Sequence, residues 1–61
     1  MASSGIDPTT FIEMMEVEGE WCVRVVENGR EAVNTFDLEW FANIYAEEKR
    51  IRLRLDEIMR V

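Results

Sequence analysis

The stretch Trp21–Phe41, WCVRVVENGREAVNTFDLEWF, decides the reading of this chain, because it specifies a β-hairpin running directly into an amphipathic helix. Asn28 and Gly29 stand between two runs rich in β-branched residues. A type I′ turn needs φ > 0 at both central positions, and asparagine and glycine adopt that conformation at the least cost. With these two residues as the loop, Glu27 pairs with Arg30, Val25 with Ala32, Val23 with Asn34 and Trp21 with Phe36. The period of two then puts Trp21, Val23, Val25, Ala32 and Phe36 on one face of the hairpin. Cys22, Arg24, Val26, Glu31, Val33 and Thr35 take the other. The first set is a core face and the second is mixed.

Downstream of the hairpin, Asp37 is placed to cap a helix, Glu39 falls in the first turn where the helix dipole favours an acid, and Phe36 with Phe41 spans a hydrophobic staple. No Gly or Pro follows to the end of the chain, so the spacing predicts one long helix over about residues 38–59. Phe41, Ile44, Ile51, Leu55 and Ile58 keep a three-four spacing that Glu48 interrupts. A second stripe, Leu38, Ala42, Tyr45, Ala46 and Leu53, lies round the side, and Asn43, Glu47, Arg50, Arg54 and Glu57 form the polar strip. Such a helix is apolar over more than the ~100° that one core needs. At about 22 residues it would span roughly 33 Å and overhang a seven-residue strand of roughly 23 Å. The overhang, IRLRLDEIM, is then an apolar stripe awaiting a partner. Ile51, Leu53 and Leu55 alternating with Arg52 and Arg54 are also strand grammar, and a strand after Lys49 is the alternative reading of this end.

Upstream, Asp7 as cap, Pro8 at the first helical position and Ile6 opposite Phe11 predict a short N-terminal helix over about residues 8–18, stopped by Gly19. The competing reading is an extra strand, because Ile12, Met14 and Glu16 alternate with Phe11, Glu13, Met15 and Val17 without clear preference. The fold expectation is therefore α+β: a short N-terminal helix, a hairpin over about 20–36 and a long C-terminal helix, associated as a dimer. The alternative is a three-stranded antiparallel meander plus one helix. Residues 1–6 read as a tail without fixed structure, and residues 7–61 as a single small domain.

Size and charge narrow the function. A chain of 61 residues builds a core worth only ~3–5 kcal/mol and usually needs a staple. Cys22 is the only cysteine and there is no histidine, which removes an internal disulfide and makes a four-ligand zinc site implausible. Self-association is the staple left. Residues 1–48 carry eleven acids against Arg24 and Arg30, net −9, while residues 49–61 carry five cations against Asp56 and Glu57, net +3. The chain is an acidic body with a basic end.

Catalysis finds little material. The only serines are Ser3 and Ser4, Cys22 has no imidazole to activate it, and the paired acids Glu18 and Glu20 read as a solvated face. No catalytic, cofactor or metal residues are assigned, and no small-molecule substrate is expected. Lys49, Arg50, Arg52 and Arg54 spread around the helix and complement its dipole, so direct nucleic-acid binding is not expected against the acidic body. No stretch reaches the ~18 apolar residues of a membrane span, MASSGIDPTT lacks the regions of a signal peptide, and a cytoplasmic location is the expectation. The functional expectation is a small non-enzymatic protein-interaction module, a homodimer paired through Trp40, Ile44, Ile51, Leu55 and Ile58. The alternative is an acidic nucleic-acid mimic that inhibits a nucleic-acid-handling enzyme of the phage anti-defence kind, docking on a basic protein surface. That reading requires Glu16, Glu18, Glu20, Glu27 and Glu31 to line one continuous surface.

Overall fold

Two tight turns of the same kind lay out the sheet. In the computed structural model, which describes residues 9–61, β1 (Phe11–Val17), β2 (Glu20–Glu27) and β3 (Arg30–Phe36) form an antiparallel meander. Helix α1 (Glu39–Leu53) follows, then a two-residue strand, β4 (Met59–Arg60), parallel to β1. The strand order is β3-β2-β1-β4. Asn28 (φ 54) and Gly29 (φ 83) make the expected hairpin turn, and all four expected cross-strand pairs are present. Its loop is pinned to the start of β1, where the Asn28 amide donates to Thr10 Oγ1 at 3.1 Å.

The expected N-terminal helix is replaced by a strand. Glu18 (φ 52) and Gly19 (φ 84) form a second turn with both residues left-handed, so Gly19 reverses a hairpin instead of stopping a helix. Cross-strand burial outweighs the local helix signals: Ile12 and Met14 on β1 pair with Val25 and Val23 and are 0% and 1% exposed. The fold is therefore the meander-plus-helix alternative, with an added edge strand. Residues 1–6, expected as a tail, and the Asp7–Pro8 cap lie outside the described residues.

The long helix is also corrected. It starts at Glu39 after Leu38, with no side-chain cap from Asp37, and stops at Leu53. Fifteen residues span about 22 Å, the length of the strands beneath, so no overhang exists. The stop is made without glycine. Arg54 takes a left-handed conformation (φ 59), its N–H donates to the Ile51 carbonyl at 3.2 Å, and the Leu55 N–H donates to the Arg50 carbonyl at 3.0 Å. This pair of bonds is a Schellman motif, which satisfies orphan carbonyls and turns the residue after the stop inward. Leu55 is consequently 8% exposed in the chain's own core. The strand alternative over residues 51–55 is displaced to Met59–Arg60.

Helix α1 covers one face of the sheet with its small residues. Ile12, Met14, Val23, Val25, Ala42, Ala46 and Leu55 form the core, ringed by Trp21, Phe36, Tyr45, Leu53 and Ile58. The strands supply the bulk, so only alanine fits at the closest approach of the helix. A left-handed arginine is strained. Arg54→Gly is therefore expected to stabilise the chain by about 0.5–1 kcal/mol, raising the melting temperature by several degrees in a thermal scan.

Candidate protein-interaction surface

The helix presents two opposite apolar poles. At 100° per residue, Ala42, Ala46 and Leu53 fall within about 40° of one another, facing the sheet. Trp40, Ile44 and Ile51 fall within about 40° on the opposite side. The stripe read as secondary is thus the one that packs. The outward one stays in solvent: Trp40 is 64%, Ile44 50% and Ile51 65% exposed. The Trp40 and Phe41 rings contact each other at a centroid distance of 5.2 Å, and Phe41 is itself exposed. Glu47 lies between Ile44 and Ile51 in the seam and is tied to Arg50 at 2.9 Å.

Of the five residues expected at an interface, the fold brings three together on this pole. Leu55 is core and Ile58 is partly buried against the core cluster. The expectation that Leu55 awaits a partner is corrected by the Schellman turn, which swings it onto the sheet.

The flanks of α1 differ in kind. Toward β4, Arg60 binds Glu39 and Asn43, at 3.2 and 2.7 Å. Toward β3, Tyr45 accepts a bond from Asn34 at 2.8 Å, and its ring lies tilted against that of Phe36 at a centroid distance of 5.4 Å. Lys49 lies over the Tyr45 ring at 5.3 Å.

The sheet face away from the helix is mixed. Arg24 binds Glu13 on β1 at 2.6 Å and Glu31 on β3, while lying over the Phe11 ring. Hydrogen bonding to Glu31 and then to Glu13 raises the guanidinium pKa above its ordinary value. A base shifted upward stays charged at every pH below its ordinary value, so this clamp holds its cation across the neutral range.

The acids required by the mimic reading do not share a surface. Glu16 pairs with Trp21 on the helix side, Glu18 is in the first turn, Glu20 pairs with Val17 on the open side, Glu27 closes the second turn at the far end of β2, and Glu31 is engaged by Arg24. Comparison with protein-family models, with curated proteins and with solved structures gives no match. Among the described residues no group of three His, Cys, Asp or Glu side chains is placed to hold a metal ion, and no helix is long and apolar enough to cross a membrane.

Proposed function

We propose that this chain is a small protein-interaction module without enzymatic activity, pairing with a second copy of itself through the outward pole of α1. The observation that supports this reading is the line of Trp40, Ile44 and Ile51 on the solvent side of the helix, each at least half exposed. Positions 40, 44, 47 and 51 follow the three-four spacing of a helix-pair seam, with Glu47 its only polar member. An antiparallel pair sets Glu39, in the first turn of one helix, near the cations at the end of the other, Arg50 in its last turn and Arg54 at its cap. It also aligns the two helix dipoles favourably. A chain this small gains more from covering such a stripe than a larger domain would, because its own core is thin.

Light scattering behind a sizing column tests the reading. A mass of twice 7.2 kDa at micromolar concentration is expected. A chain that stays monomeric up to about millimolar concentration, where an association weaker than about −4 kcal/mol would first show, ends it. The mimic reading is not carried forward, because the five acids it needs are distributed over both faces and both ends of the sheet.

A further inference from the structure

We propose that the free edge of β3, together with the cation-lined cleft beside it, binds an acidic peptide segment in extended conformation, which joins the sheet as an added strand. The backbone supplies the first half of this site. In an antiparallel ladder closed by a two-residue turn, bonded and non-bonded pairs alternate from the turn outward. Arg30, Ala32, Asn34 and Phe36 therefore bond to β2, and the N–H and C=O groups of Glu31, Val33 and Thr35 point away from it. Among the described residues none bonds to those outward groups. An edge of seven residues without proline or bulge is a template for strand addition.

Side chains supply the second half. Between β3 and the flank of α1 lies an open cleft of about 580 Å³, lined by Arg30, Ala32, Tyr45, Lys49, Arg52 and Leu53 among others. Arg30 and Arg52 form no ion pair among the described residues, and Lys49 has only the Tyr45 ring. Two acids also border the cleft, but Glu31 is turned to Arg24 on the opposite face, which leaves Glu27 as the one uncommitted carboxylate. In a chain of net charge −6, a cleft with three cations against one acid is a local reversal of sign. A strand added at β3 would send alternate side chains into it. Acidic residues at those positions meet Arg30, Lys49 and Arg52, and the residues between them meet Val33, 55% exposed on the open face.

The charge also argues against a second copy as the occupant. Two β3 edges paired across a two-fold axis would bring two α1 flanks together, setting Lys49 and Arg52 against their own likes. The pole that carries Trp40, Ile44 and Ile51 is a different side of the helix, so the site does not rest on self-pairing.

The probe is a fluorescein-labelled peptide of about eight residues, alternating Glu with Val or Thr, long enough to cover the edge. Titrated with the full chain, it is expected to bind saturably by fluorescence anisotropy and to weaken at least tenfold from about 0.05 to about 0.5 M salt. The same peptide with Lys for Glu should not bind. Lys49→Glu with Arg52→Glu should lower affinity at least about tenfold without unfolding the chain, since Arg52 is exposed and Lys49 only half-buried. Val33→Pro removes one outward N–H that β2 does not use, a place where a sheet edge tolerates proline. It should abolish binding while the thermal melt persists. The Ile44→Glu, Ile51→Glu variant should bind the peptide as the wild type does, which keeps this test separate from that of self-pairing. No saturable binding to folded wild type overturns the proposal. So does binding that survives both folded variants, or self-association that Val33→Pro breaks, which would make a second copy the occupant.

Discussion

Leu55→Glu is expected to leave the chain unfolded at every protein concentration. Leu55 lies beyond the helix, yet it is 8% exposed and packs with Ile12, Met14, Val23 and Val25 under the alanines of α1. Truncating a buried leucine costs about 2–5 kcal/mol, and a carboxylate in its place adds the penalty of an unpaired group out of water. The whole stability of so short a domain is ~3–5 kcal/mol, so the substitution removes most of it. Far-UV circular dichroism at 25 °C, at micromolar and at near-millimolar protein, should show no cooperative melt in either sample. A cooperative melt close to that of the wild type at micromolar protein would mean that Leu55 does not belong to the core, and the core as described would be wrong. The Arg50 side chain strengthens the expectation, because it donates to the Leu55 carbonyl at 3.2 Å and so fixes the turn that buries the leucine.

The hairpin was fully legible from its residues. Asn28 and Gly29 favour one turn type, that turn sets the pairing of Glu27 with Arg30, and pairing sets both faces. The first hairpin was not, because its left-handed positions are held by Glu18 and Gly19. Glutamate at positive φ is unusual, so the glycine alone resembled a helix stop. The missing signal was nonlocal: β1 alternates weakly by itself, and only the presence of Val23 and Val25 opposite shows that Ile12 and Met14 are the buried set. The end of α1 was hidden for a similar reason. Arg54 is a poor left-handed residue, and what forces it there is the burial of Leu55 one step later, which no local breaker announces.

The candidate surface was legible in part. Trp40, Ile44 and Ile51 could be placed on one side of a helix by spacing alone. Which of two apolar stripes faces the sheet could not, since that depends on volume already filled by the strands. Ala42 and Ala46 look like the weaker stripe by hydrophobicity, and they win because they are small. The cleft at β3 gave no linear signal: Arg30 comes from a strand and Lys49 and Arg52 from a helix, and only the tertiary fold gathers them.

Self-pairing predicts a variant that behaves oppositely to Leu55→Glu. Ile44→Glu combined with Ile51→Glu changes two side chains that are 50% and 65% exposed in the single chain. For a folded monomer the effect is small, about 0.5 kcal/mol per surface site, and glutamate is a better helix former than isoleucine. For a helix pair each substitution sets a charge against the apolar seam of the partner, twice over by symmetry, and the two partner-facing carboxylates also repel. Expected losses are several kcal/mol of association, enough to take a micromolar dimer beyond the measurable range. The wild type should therefore melt at a temperature that rises with protein concentration, because mass action stabilises the paired state. The variant should melt cooperatively at a temperature that does not depend on concentration and run as a monomer on the sizing column. Loss of the cooperative melt in the variant would show that this helix pole supports the fold of the single chain. A concentration-independent melt shared by both proteins would show that it joins nothing.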